Sequence, residues 1–305
     1  MTSVRTVAKG GAAEARATTA TGPIQVTGEV LSLKQVGGYH HLTLVASGIA
    51  ERTRPGTFVA LAVGGDQTPM LLRRAFSIYR AKRSGAYGGT VEVVFAVNGQ
   101  GTAWLAGRRP HDVVDVVGPL GRPFALPKEP VPCTLVGGGY GSAPLFGLAA
   151  RLRERGSAVH MVLGAAAEPR LFGVLEARRS ASSVVVTTED GSVGVQGRVT
   201  DVLPDLLSRT GTDVVYACGP MGMLAAVSSV AEQHGAWSQC AVEESMACGV
   251  GICMTCVLPI VGEDGMTRMV RSCVEGPVFR GDRVRWGDVG TVPPETVGAP
   301  RTGGH

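Results

Sequence analysis

Residues 244–256 read E-S-M-A-C-G-V-G-I-C-M-T-C, and one more cysteine follows at position 273. Cys248, Cys253, Cys256 and Cys273 are thus spaced C-x4-C-x2-C-x16-C, and they account for four of the seven cysteines. This order of gaps brings four thiolates onto the two irons of a [2Fe–2S] cluster. Soft anionic ligands must converge from a tightly turning loop, and Gly249 and Gly251 allow backbone angles that a Cβ forbids. Two other readings compete. A structural zinc also takes four thiolates, but ordinarily from two C-x2-C pairs, and only Cys253 and Cys256 form one. A disulfide framework fits poorly with an odd cysteine count in a long chain without a secretory signal.

A chain of 305 residues leaves room for about two domains. Hydrophobic residues make up 44% and charged residues 18%, enough for a sizeable core. The 44 glycines gather in G-G-G and G-x-G runs, as expected of loops that approach ligands closely. A net charge of +4 without a basic run argues against nucleic acid as a partner. No stretch approaches the roughly 18 apolar residues of a membrane span. The N-terminus lacks the apolar segment of a secretory signal. A soluble, cytoplasmic protein with reduced thiols is the expectation.

In chain order, residues 1–22 carry almost no large apolar side chains and are expected to be disordered. Residues 23–127 show short alternating β-branched runs, predicting an antiparallel β-barrel with strands near 25–33, 39–45, 57–63, 71–79, 91–97 and 112–117. A short helix is expected over 101–106. Two places in the barrel carry chemistry. Arg73-Arg74-Ala75-Phe76-Ser77 offers charge for a phosphate, a ring for stacking and a hydroxyl, as a dinucleotide requires. Asn98-Gly99-Gln100-Gly101-Thr102 opens a helix with free backbone amides. Their plainer readings are a strand with solvated arginines and an ordinary hairpin turn.

Residues 128–236 open in a proline-rich linker, 127–132, and then alternate strands with helices, predicting an α/β domain with a parallel sheet. Strands are expected near 131–136, 158–163, 184–188 and 213–217, with helices near 171–179 and 199–207. A further helix puts Leu145, Leu148, Ala149 and Leu152 on one face. Two glycine loops, Gly137-Gly138-Gly139-Tyr140-Gly141 and Cys218-Gly219-Pro220, follow strands and so mark a nucleotide site. Residues 237–286 form the small cysteine-loop domain, and 287–305 read as a loose tail. Neither a nucleophilic triad nor a carboxylate pair is present. The histidines are scattered, and Cys133 and Cys240 read as buried small hydrophobes.

The order of these parts resembles the ferredoxin-reductase superfamily. More narrowly, it resembles the electron-transfer subunits of type B dihydroorotate dehydrogenases. The match rests on L-L-R-R-x-x-S-I at 71–78, G-Q-G-T at 99–102, V-G-G-G-x-G-S-A-P-L at 136–145 and T-E-D-G-S at 188–192. It continues in Y-A-C-G-P-M at 216–221, E-E-S-M-A-C-G-V-G-I-C at 243–253 and C-V-E-G-P-V-F at 273–279. The resemblance implies FAD in the barrel. Arg74, Ala75, Phe76 and Ser77 would hold it, Gly101 and Thr102 would take its phosphates, and Phe95, Ala96 and Val97 would line its ring.

It also implies NAD at Gly137, Gly138, Gly139, Gly141, Gly219 and Pro220, with Cys218 close to the nicotinamide, and a [2Fe–2S] cluster on the four cysteines. The implied partner is an FMN-containing dihydroorotate dehydrogenase catalytic subunit in a heterotetramer. Electrons would pass from it through the cluster and FAD to NAD, in pyrimidine biosynthesis. Two departures stand out: the family usually has Pro-Ile where Ala75-Phe76 stands, and an aromatic-Arg pair where Phe95-Ala96 stands. A reductase subunit serving a ferredoxin, a hydrogenase or an oxygenase is the alternative, and a zinc-stabilised nucleotide-binding regulator is a third. Glu189 and Asp190, near a strand end, lean towards an unphosphorylated ribose.

Overall fold

The computed structural model describes residues 22–299, except 66, 67 and 69. The segment expected to be disordered therefore lies outside the described residues, Gly22 apart. Six strands close into an antiparallel barrel: β1 (Ile24–Val36), β2 (Tyr39–Val45), β3 (Phe58–Leu61), β4 (Arg74–Lys82), β5 (Thr90–Phe95) and β6 (Val113–Leu120). Their order around the barrel is β1-β2-β5-β4-β3-β6. The period-2 pattern explains it: Leu42 and Leu44 of β2, or Val114, Val116 and Leu120 of β6, alternate with less buried neighbours. Inward residues such as Leu61, Val93 and Phe95 fill the core. Two short helices belong to this domain, α1 (Ile49–Arg52) and α2 (Gln100–Ala106).

The second domain is a seven-stranded sheet. It comprises β7 (Cys133–Gly138), β8 (Val159–Ala165), β9 (Ser183–Thr188), β10 (Val195–Gln196), β11 (Val214–Cys218), β12 (Trp237–Ala241) and β15 (Val278–Arg280). The order is β10-β9-β8-β7-β11-β12-β15, parallel throughout except that β15 runs antiparallel to β12. Between the strands run α3 (Ala143–Glu154), α4 (Val174–Ser180), α5 (Val199–Thr210) and α6 (Met221–Gln233). Leu145, Leu148, Ala149 and Leu152 of α3 are buried as the sequence pattern requires. The cysteine segment carries one hairpin, β13 (Val257–Val261) and β14 (Thr267–Arg271).

Several differences from the sequence reading have physical causes. The helix expected from 171 starts at Val174, because Gly173 ahead of it sits at φ +73°, and a Cβ there would strike the Phe146 ring. Helix α6 falls where no element was expected. The parallel sheet does not end at 236: Trp237–Ala241 pairs with β11 along its whole length, and β15 returns to the same edge. Residues 287–299 are not loose. The Val297 amide bonds to the Thr267 carbonyl at 2.9 Å, Arg285 pairs with Glu295, and Thr296 is buried.

Barrel and sheet meet through a partly buried polar and aromatic seam. The Tyr39 hydroxyl donates to the Arg170 carbonyl at 2.7 Å, and Tyr79 and Arg80 both engage Glu176. Tyr79, Phe146 and Phe172 pack edge to face beside them, at 5.4–6.0 Å between ring centroids. This seam sets the distance between the two faces that enclose the site.

Candidate functional site

A cavity of about 890 Å³ lies between the barrel and the carboxyl ends of the sheet strands. From the barrel, β4 presents Arg74, Ala75, Phe76 and Ser77, and β5 with its following turn presents Phe95 and Ala96. The Phe76 and Phe95 rings lie 5.6 Å apart, and His40 stacks on Phe95 at 5.4 Å. Arg74 is braced by a 2.7 Å bond to the Leu72 carbonyl. Thr102 lines the wall, and its hydroxyl gathers the amides of Asn98 and Gly99, which shapes the turn before α2.

Two candidates contribute differently from the sequence expectation. Gly101 lies under the Arg74 side chain rather than on the wall, and a Cβ there would meet Arg74 Nε at 2.9 Å. Val97 is half exposed and outside the lining.

From the sheet, Gly138, Gly139 and Gly141 face Cys218, Gly219 and Pro220 across the floor. The two loops touch through backbone: a Cβ on Gly141 would stand 2.9 Å from Gly219 Cα. Gly137 lies behind, where a Cβ would meet Ser142 Cβ at 2.4 Å, so it permits the turn without lining the cavity. Helix α6 starts at this floor, directing its positive end at the cavity. Cys218 is buried, and burial first, then the nearby Glu243 and Cys240, push its thiol well above the ordinary range. It faces the cavity as a neutral thiol.

The four motif cysteines converge on the barrel side of this cavity. None of the seven cysteines is in a disulfide. The four group as two pairs. Cys248 Sγ accepts from the amides of Ile252 at 3.3 Å and Cys253 at 3.5 Å, and Cys253 Sγ accepts from the Thr255 hydroxyl at 3.2 Å. Hydrogen bonding with Thr255 first, then with Cys248, brings the exposed Cys253 thiol down to about 6. Cys256 and Cys273 are buried against Phe58, Ala60 and Leu120. Burial, then the hydrogen bond with Cys256, pushes the Cys273 thiol up to about 12. Among the described residues no three His, Cys, Asp or Glu side chains are placed to hold a single metal ion. A two-plus-two arrangement of thiols suits a two-iron cluster, with one pair for each iron.

Comparison with known proteins agrees with this geometry. The family model described as the iron-sulfur cluster binding domain of dihydroorotate dehydrogenase B matches residues 243–285, and the oxidoreductase NAD-binding domain matches 135–229. The dihydroorotate dehydrogenase B (NAD(+)) electron transfer subunit of Geobacillus thermodenitrificans is 39% identical over 248 residues, covering 80% of this chain and 92% of the relative. Its counterpart from Desulforamulus reducens is 33% identical, over 81% and 92%. The chain belongs to the family of dihydroorotate dehydrogenase B electron transfer subunits.

Like this family member, a chain of the NADH-dependent reduced ferredoxin-NADP oxidoreductase has the same overall architecture, with a TM-score of 0.75 at 28% identity over 87% of this chain and 91% of that one. The ferredoxin NADP+ reductase of Neisseria gonorrhoeae shares the fold at a TM-score of 0.56 and 16% identity, over 70% and 92%. Among the described residues of this electron transfer subunit, no helix is long and apolar enough to cross a membrane.

Several lining residues escaped the sequence reading. Tyr39, Tyr140 and Arg170 close the cavity from three separate elements, and Glu243, Glu244 and Met246 descend from the cysteine segment. Tyr140 and Glu243 stood inside motifs already singled out, so position within the motif was the available signal. Tyr39 and Arg170 meet only through the folded seam, and nothing local marks them.

Proposed function

We propose that this chain relays electrons from a partner dihydroorotate dehydrogenase to NAD, holding a [2Fe–2S] cluster on Cys248, Cys253, Cys256 and Cys273 and FAD on the barrel wall. One observation carries the reading: Phe58 and Met246 belong both to the apolar cluster around Cys256 and Cys273 and to the cavity wall. The thiols and the cavity are thus separated by a single layer of side chains. FAD, when bound, exchanges hydride with a nicotinamide and single electrons with an iron–sulfur centre, chemistry that no side chain supplies.

The residues fit that group. Arg74 offers its guanidinium to phosphate, Phe76 and Phe95 offer ring faces, Thr102 stands on the same wall, and Gly101 leaves room for the Arg74 side chain. The glycine loops present backbone without side chains, so a nicotinamide ring can approach the barrel wall. Cys218, kept neutral by burial, packs there without becoming a competing nucleophile.

The partner we assign is the FMN-containing catalytic subunit, in a heterotetramer. Val250, Ile252 and Met254, exposed on the loop that carries Cys253, supply an apolar face for it. A cytoplasmic location suits four reduced thiolates. The resemblance to the ferredoxin-NADP oxidoreductase chain favours a second reading, a reductase subunit with another redox partner.

Anaerobic purification tests both. The first reading expects flavin and cluster bands, two irons per chain, NADH-to-dye activity and a stable complex with the dihydroorotate dehydrogenase barrel subunit. Full cofactor content without that complex would favour the second reading, and a colourless protein would refute both.

A further inference from the structure

Three consecutive residues at the end of β14 hold the cysteine site together. Ser272, fully buried, donates both its amide and its hydroxyl to the Cys256 carbonyl, each at 2.8 Å. Cys273 follows as a motif thiol. Arg271, just before, reaches back across the loop, and its Nη1 donates to the Gly251 carbonyl at 2.9 Å. Gly251 is wedged there. It sits at φ +82°, and a Cβ on it would stand 2.4 Å from Val274 Cγ2 and 3.5 Å from Arg271 Nη1. Its amide hydrogen-bonds to the Cys273 thiol. Through one carbonyl, Arg271 thus fixes the residue that turns the chain between Cys248 and Cys253 and also donates to a buried thiol.

Arg271 is itself locked by Glu275. Its Nη2 donates to Glu275 Oε1 at 2.9 Å, and its amide donates to Oε2 at 3.1 Å. The Glu275 amide returns a bond to the Arg271 carbonyl at 2.9 Å. Across the same turn the guanidinium attracts negative charge on Cys273 and Cys256. The Arg271 and Glu275 side chains are 35% and 30% exposed. Water therefore screens their charges in part, without erasing their field at the two buried thiols.

Resting on the cluster reading above, we propose that Arg271 is the positioning residue of the iron–sulfur site: it holds Gly251 over the buried thiols, and its charge, opposed by Glu275, sets how readily the site accepts an electron. One electron adds negative charge to a site that already carries four thiolates, and net charge and hydrogen bonds around the sulfurs set the reduction potential. A cation beside the thiols favours the reduced form, and a carboxylate opposes it. The two residues therefore act in opposite directions on the potential. As partners in one clamp they act in the same direction on retention of the irons.

Anaerobic redox titration of the holoprotein, with iron loss to a chelator measured alongside, separates the two roles. Arg271→Gln shifts the reduction constant towards the oxidised form by about two- to fivefold, the range of a partly exposed charge pair, at about 59 mV per tenfold for one electron. It also speeds iron loss. Glu275→Gln shifts the constant by a similar factor towards the reduced form, yet speeds iron loss as well. Arg271→Lys keeps the potential close to wild type but still loses iron faster, because an ammonium lacks the fork that serves Gly251 and Glu275 together. Potentials that move the same way in Arg271→Gln and Glu275→Gln, or do not move, overturn the proposal alone. So does iron loss at the wild-type rate in all three variants. If Arg271→Gln loads no iron, Arg271→Lys and Glu275→Gln carry the same comparison. A wild-type protein purified without iron overturns the cluster reading along with it.

Discussion

The contact between the two glycine loops sets up a sharp prediction. In Gly141→Ala the new Cβ would stand 2.9 Å from Gly219 Cα, 3.2 Å from Gly219 N and 3.3 Å from the Cys218 carbonyl. All three neighbours are backbone, so no side chain can swing aside. Ordinary van der Waals contact begins at 3.4 Å, so the loops must part by about half an ångström, the kind of overpacking that costs about 1–3 kcal/mol.

The shift falls on the floor that carries Cys218 and the start of α6. Displacing a bound reactant by roughly 1 Å can cost on the order of a hundredfold in rate, so half of that should lower kcat/KM for NADH by about tenfold. The assay is NADH-to-dye kinetics alongside iron and flavin content, with thermal unfolding followed by flavin release. Gly287→Ala serves as the control, since a Cβ there meets nothing within 4 Å. Wild-type kinetics and wild-type thermal stability in Gly141→Ala would show that the loops do not touch as described.

Cys256→Ser should strip both irons, seen by metal analysis, while the flavin stays; retention of two irons per chain would undo the ligand assignment. Arg74→Ala should weaken FAD by about tenfold to a hundredfold, from about 1.5–3 kcal/mol for a charge-assisted bond, with flavin occupancy after dialysis as the readout. Thr255→Val removes the hydroxyl donor from Cys253 and should make the cluster harder to reduce, lowering its midpoint potential in an anaerobic redox titration, with Thr255→Ser restoring it. Ile252→Glu, at a side chain 80% exposed, should abolish co-purification with the dehydrogenase subunit and leave NADH-to-dye activity intact; full co-purification would place the docking face elsewhere.

What could be read in the sequence was whatever physical chemistry makes local. The gaps among Cys248, Cys253 and Cys256 were visible because thiols gathered by one tight loop sit only a few residues apart, whereas Cys273 is brought to them by the β13–β14 hairpin. Barrel strands were visible because burial of one face imposes a period of two, and β2 came out residue for residue. Sheet order was not visible. Nothing in Val278-Phe279-Arg280 says that it returns to pair with β12 across the intervening cysteine loop, because pairing is a long-range property of backbone hydrogen bonds. The cavity was half visible: strand-end glycines mark one wall, whereas the bond from Tyr39 to Arg170 spans 131 residues. Glu189 and Asp190 looked equivalent until the Ser192 turn was seen to occupy one of them.

The placement of β12 and β15 has a mechanical consequence. The cysteine loop leaves the sheet at Ala241 and comes back at Val278, and these two residues are directly paired across neighbouring strands. A loop tethered at one end sweeps out a cone, and its distance from any fixed point wanders with every hinge fluctuation. Tethered at both ends to adjacent rungs of one ladder, it becomes a closed handle whose base cannot widen unless the ladder breaks. Electron tunnelling falls steeply with separation, so a rigid handle keeps the gap from thiols to cavity nearly constant while the outer tip remains free to meet a partner. Cutting the chain anywhere between 242 and 277 would keep every cysteine in the sequence and still open the handle.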